Sequence, residues 1–283
     1  MEPSSSNGKI SSSNNNQMSN KRQQQQQQQQ QSSGSDSNTG FEDERILLLV
    51  FRSVAFDPRV VSVAACVSRR IRAVARRVLW RELCVSRAPR MTSELALGAG
   101  GGVGGGGFHA LAKLLLFCCG SGPGRGGIPG HLAPATRFSK TSGRSFLHRR
   151  CRGDLLYVSD PCEHEARGRE ADFDVGVYRG IFRGFMRSRT RASLVGRRAE
   201  LESGRLRCPY CGARVWSMSA ARLVPRSASR RLGSHGEKQL DYFVCVNGHL
   251  HGNCWLAHLS DDSSDCDDEK EEEEDVDSVC SMI

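Results

Sequence analysis

Cys208-Pro-Tyr-Cys211-Gly212 sets two thiols two residues apart beside a glycine, and further on Val244–Cys254 supplies Cys245, His249, His251 and Cys254. Thiolates at this spacing point both sulfurs at one metal, while amides around the turn offset their charge. A tetrahedral site needs two more donors. Asn247-Gly248 is a turn signal that presents Cys245 and a partner at a second knuckle, just past a strand predicted over Tyr242–Val246. Cys208, Cys211 and Cys245 are therefore the expected zinc ligands, with Cys254 or His249 as the fourth and His251 ranked behind both. Two full sites do not fit these six residues, because two ions need about eight ligands. Such a zinc is structural: four protein ligands leave no open position for water, and the ion holds together a module too small to stand alone.

Cys-Pro-Tyr-Cys is also the active-site string of dithiol redox enzymes, where the first Cys opens a helix inside a βαβ unit. Here Gly212 and the strand-like Arg214-Val215-Trp216 follow instead. A RING-type cross-brace would need eight ligands, which this cluster does not supply. A second set, Cys162 and His164 with Cys151, has a spacing that is not diagnostic, and Cys118-Cys119 reads as small apolar packing.

Toward the N-terminus, Asp43 and Glu44 precede the apolar run Ile46–Phe51, and acids suit a helix's first turn. That run predicts a largely buried helix. Asp57-Pro58 then sets a cap and first position for a second helix carrying Val60, Val61, Val63 and Ala64. A third follows, with Val67, Ile71, Val74, Val78 and Leu79 at three- and four-residue steps, arginines between them, and Trp80 and Leu83 closing it. Residues 98–107 are nearly all glycine, a flexible linker. They do not make a P-loop, since the Lys-Ser/Thr pair and the preceding strand are missing. Phe108–Cys119 reads as a short apolar helix, Leu155–Val158 and Val175–Tyr178 as strands, and 187–206 as a basic helix.

The formal net charge of +9 hides a dipole: Asp261–Asp277 holds 12 acids and one Lys, so the rest of the chain stands near +20. A basic body attracts nucleic acid or acidic partners. Residues 1–40, rich in Ser, Asn and Gln with a glutamine run over 23–31, have too little apolar surface to offset chain entropy. No run of about 18 apolar residues is present, so no membrane span is expected. Without a signal-peptide pattern, the 12 cysteines are expected as thiols or metal ligands in the cytosol or nucleus.

Residues 41–86 resemble an F-box: an acidic start, Ile46–Phe51, Asp57-Pro58, Val60–Val67 and the closing Val78-Leu79-Trp80-Arg81-Glu82-Leu83. Three short helices bury their apolar faces by interlocking with a partner. The resemblance implies a Skp-type adaptor as that partner and, through it, a cullin. Leu47, Leu48, Val50, Phe51, Pro58, Val60, Val61 and Trp80 would then divide between internal packing and the adaptor interface. A helix-turn-helix reader of DNA is the rival, but its recognition helix usually offers more than arginine and Ser68 for base contacts.

Longer strings are more specific still: FHALAKLLLFCC (108–119), RFSKTSGRSF (137–146), CRGDLLYVSDPCEHE (151–165), YRGIFRGFMRS (178–188), CPYCGARVWSMSAARLVP (208–225) and FVCVNGHLHGNCW (243–255). They resemble a plant F-box family whose founding member is named for hypersensitivity to far-red light (Empfindlicher im Dunkelroten Licht). The resemblance implies a nuclear, non-catalytic substrate-recognition subunit of a Skp–cullin–F-box ubiquitin ligase, acting in light or hormone signalling. The alternative function is a zinc-containing nucleic-acid-binding regulator. The expected fold is a mainly α, three-helix N-terminal F-box plus a small α+β zinc-binding C-terminal domain, with disordered termini. The expected divisions are 1–40 disordered, 41–87 F-box, 88–107 linker, 108–200 central region, 201–260 zinc module and 261–283 acidic tail.

Overall fold

The computed structural model describes residues 43–98, 103, 106–118, 131–133, 136–162, 175–202, 206–226, 228 and 242–256. The segments 1–40 and 261–283, expected to be disordered, lie outside them. The chain divides into two compact units, Met1–Val54 and Ala55–Ile283.

In the first unit, α1 (Glu44–Ser53) starts at Asp43, whose carboxylate accepts the Arg45 amide at 2.8 Å. At 3.6 residues per turn, Leu47 and Phe51 fall on one side and are buried. Leu48 is half-buried, and Ile46, Leu49 and Val50 are open. The expectation of a largely buried helix is corrected here: a continuous apolar run wound into a helix presents apolar groups all round, and only one side of α1 is covered.

The second unit opens with α2 (Pro58–Val67), capped by Asp57 onto the Arg59 and Val60 amides. Ser68 caps α3 (Arg69–Val74), which widens into a π-helical turn over Ala75–Leu79 and continues as α4 (Trp80–Arg87). The expected third helix is thus a longer helical run with a bulge. The linker expectation needs correction too. Pro89–Gly98 is a helix, α5, with Met91 and Leu95 buried and the Thr92 hydroxyl donating to the Cys84 carbonyl at 3.0 Å. Pro89 suits the first turn, and Met91 and Leu95 are four residues apart on one face. Next comes α6 (Gly107–Leu116), buried along most of its length. It meets α4 where the Trp80 and His109 rings lie 5.4 Å apart. Among the described residues, no helix is long and apolar enough to cross a membrane.

The rest of the unit is one antiparallel sheet: β1 (Phe138–Ser142), β2 (Leu155–Ser159), β3 (Val175–Phe182), β4 (Val215–Ser217), β5 (Tyr242–Cys245) and β6 (His249–Trp255), in the order β1-β2-β3-β6-β5-β4. The central β3–β6 pairing runs from Val175↔Trp255 to Ile181↔His249. It joins what the sequence divides at residue 200, so the central region and the zinc module are a single sheet. One face carries the core, including Phe146, Phe182, Leu194, Trp216, Tyr242 and Leu250. The basic helix expected over 187–206 is confined to α7 (Arg189–Gly196), capped by Ser188. Helices and sheet are tied together within this unit: the Arg179 guanidinium donates to the Leu115 carbonyl at 3.2 Å, and Lys140 reaches Glu94 at 2.7 Å.

Candidate metal centre

Two tight turns face each other at one end of the sheet. In the first, the Cys208 amide donates to the Ala213 carbonyl at 2.9 Å and the Gly212 amide to the Cys208 carbonyl at 2.8 Å. Gly212 sits at φ +71°, the left-handed region that glycine adopts at little cost. In the second, the Gly248 amide donates to the Cys245 carbonyl at 2.8 Å, with Gly248 at φ +84° and Phe185 packed where a Cβ would stand.

The turns bring Cys208, Cys211, Cys245 and His249 together, with all four donor atoms within 4.8 Å of one another. Cys211 Sγ lies 3.8 Å from Cys245 Sγ, and His249 Nδ1 lies 3.4 Å from Cys245 Sγ and 3.8 Å from Cys208 Sγ. A tetrahedral ion with Zn–S bonds of ~2.3 Å requires sulfur–sulfur edges of about 3.8 Å. The donor set and its spacing therefore fit a soft divalent ion. Two N–H groups already point at the sulfurs: the His249 amide donates to Cys245 Sγ at 3.2 Å, and Asn247 Nδ2 to Cys211 Sγ at 3.4 Å.

The electrostatics point the same way. Hydrogen bonds from the Cys208 and Cys245 thiols hold the Cys211 pKa far below the usual thiol range. The contact with Cys211 pushes Cys208 up to about 12, and contacts with Cys208 and Cys211 push Cys245 well up. The three sulfurs thus compete for protons, and a divalent cation among them would favour the thiolate form of all three. The start of α6 is close by. A Cβ at Gly106 would stand 2.8 Å from the Cys211 Cβ, so the N-terminal end of that helix packs against the first turn.

Cys254, expected as an alternative fourth ligand, is not in the cluster. It lies an odd number of residues from His249 on β6, and alternate strand residues face opposite sides. Its buried thiol, with its pKa raised by that burial, donates to the Ser145 carbonyl at 3.7 Å. His251 shares the face of His249 but sits two residues on, its ring beside Phe243 and Tyr210 at 5.7 and 6.2 Å. Burial lowers its pKa to about 4, so it is a neutral imidazole.

Of the residues expected at an adaptor interface, Leu47, Phe51, Pro58, Val61 and Trp80 are buried within this chain. Leu48 is half-buried, and Val50 and Val60 are exposed. Exposed Ile46, Leu49, Val63 and Val67 were not on the expected list; the three-to-four-residue spacing that finds buried positions also finds these, on the other side of each helix. The second Cys/His set is rearranged as well. Cys151 faces Ser193 at 3.6 Å, and His164 lies outside the described residues. Cys162 instead meets Cys118 and His131.

The described chain thus runs from N-terminal helices into a sheet that carries a Cys3His cluster, with Cys208, Cys245 and His249 buried and Cys211 half-buried. Residues 119–255 match the family described as the EID1-like F-box protein 2 C-terminal domain. Three Arabidopsis thaliana relatives extend the likeness beyond it. EID1-like F-box protein 3 is 55% identical over 236 residues, covering 82% of this chain and 85% of the relative. EID1-like F-box protein 1 is 44% identical over 229 residues, 78% of this chain and 76% of the relative. EID1-like F-box protein 2 is 43% identical over 229 residues, 78% and 89%. The chain belongs to the family of EID1-like F-box proteins. No solved structure matches it.

Proposed function

We propose that this chain is the substrate-recognition subunit of a Skp–cullin–F-box ubiquitin ligase, acting in the nucleus in light or hormone signalling. Family membership supports the class. The observation that carries the reading is a stripe on α2: Val60, Val63 and Val67 are 44%, 65% and 79% exposed, at i, i+3 and i+7. Full burial of one such side chain is worth about 1.5–3 kcal/mol. On α1, Ile46, Leu49 and Val50 form a stripe of the same kind. In this reading each stripe is covered by a Skp-type adaptor, while Leu47 and Phe51 in the first unit and Val61 and Trp80 in the second are the buried positions of their own helices.

The chain itself is not an enzyme in this proposal; ubiquitin transfer belongs to the partner enzymes. The sheet holds the target protein. Zinc at Cys208, Cys211, Cys245 and His249 supplies a fixed charge that pins the two turns, with no open position for reaction. Titrating the full-length chain with a purified Skp-type adaptor tests the proposal, with Val63→Asp as the variant that removes the stripe and leaves the core intact.

A further inference from the structure

Cys118, His131 and Cys162 come from three separate stretches of chain, and backbone pairing holds each of them. Leu132 bridges Phe117, and the Cys118 amide donates to the His131 carbonyl at 2.9 Å. In antiparallel pairing this makes Cys118 and His131 direct cross-strand neighbours on one face. The third stretch follows β2: Cys162 bridges Val177 of β3, its amide donating to the Val177 carbonyl at 3.1 Å, one residue out of the β2–β3 register. The side chains converge. Cys162 Sγ lies 3.4 Å from His131 Nε2, and the two sulfurs and a ring nitrogen of His131 all lie within 4.8 Å of one another. Cys118 is buried, Cys162 half-buried and His131 exposed.

We propose that these three residues form a second zinc site. Two sulfurs and one imidazole are a soft donor set suited to Zn²⁺, and their backbones are fixed by pairing rather than carried on loose ends. Binding releases the two thiol protons to solvent. Among the described residues no fourth His, Cys, Asp or Glu joins the three, and with His131 exposed a water molecule would complete the tetrahedron. The site clasps the end of α6 to the β2–β3 side of the sheet. The first cluster abuts the other end of the same helix at Gly106. A ten-residue helix is about 15 Å long, so the two sites are separate and titrate independently.

Zinc per chain, measured by elemental analysis on the full-length protein purified under reducing conditions, tests the proposal. Two equivalents are expected in the unaltered chain and one in each of His131→Ala, Cys162→Ser and Cys211→Ser. His131 is exposed, so its variant is expected to fold. As a second reading, Co²⁺ titration of unaltered protein should show two binding steps, and His131→Ala should lose one of them. One equivalent of zinc, unchanged by His131→Ala and lost in Cys211→Ser, overturns the second site and leaves the first standing.

Discussion

His249 is bound to Cys245 twice over: its backbone amide donates to Cys245 Sγ at 3.2 Å, and its ring Nδ1 lies 3.4 Å from the same sulfur. The turn at Asn247-Gly248 thus fixes both second-turn donors with a single backbone geometry. His249→Ala and Cys245→Ser should each remove one equivalent of tightly held metal and lower the thermal midpoint sharply. Cys254→Ala, on the opposite face of β6, should retain the metal and cost only about 1–2 kcal/mol for a lost buried sulfur. Metal analysis beside thermal unfolding separates the two outcomes.

Chelation should act on the same region. Because binding free energy at a structural site of this kind is folding free energy, a strong chelator is expected to expose β4–β6 amides to hydrogen exchange. Amides of α4 should exchange much less. Uniform loss of protection would show that the metal is not local in its effect.

Gly106 sits at φ +104°, and a Cβ there would stand 2.7 Å from the Ala110 Cβ and 2.8 Å from the Cys211 Cβ. Gly106→Val therefore meets backbone strain and a clash with a ligand residue at once. A loss of about 2–4 kcal/mol is expected by denaturant titration, with weakened metal retention. Gly153→Ala, where nothing lies within 4 Å, should be close to neutral.

Trp80 and His109 join α4 to α6, and Trp80→Ala should cost about 3–5 kcal/mol. Burial, with Lys113 and Arg76 adding repulsion, lowers the His109 pKa below its ordinary value near 6.5. As pH falls, the unfolded chain takes up that proton first. The stability from neutral His109 is complete above about pH 6.5 and is lost as pH drops through the lower folded value. Urea midpoints at pH 7.5 and 5.5 should differ less in His109→Gln than in the unaltered chain. An equal difference would remove His109 from the cause.

Much of this was legible from residue type and spacing. Asp57-Pro58 starts α2, and Cys208-x-x-Cys211-Gly212 with Asn247-Gly248 marks the two turns of the Cys/His cluster. The choice between His249 and Cys254 was legible in principle, because strand alternation from Cys245 and His249 turns Cys254 toward the core. Other features were not. Pro89–Gly98 carries few apolar residues and runs into a glycine tract, so its helical character rests on packing of Met91 and Leu95. The joining of β3 to β6, from Val175↔Trp255 to Ile181↔His249, pairs residues far apart in the chain, which no local pattern encodes. His131 lies beside a Gly- and Pro-rich stretch and meets Cys118 only through tertiary pairing.

Adaptor binding by the full-length chain, compared with Val63→Asp and Val61→Asp, tests the central claim most directly. Val63 is 65% exposed and Val61 is 0% exposed on the same helix. The expected result is tight binding by the unaltered chain and its loss in Val63→Asp with an unchanged thermal midpoint. Val61→Asp should lower that midpoint by burying a charge. Unchanged binding by a folded Val63→Asp protein, or no binding by the unaltered metal-loaded chain, would contradict the claim.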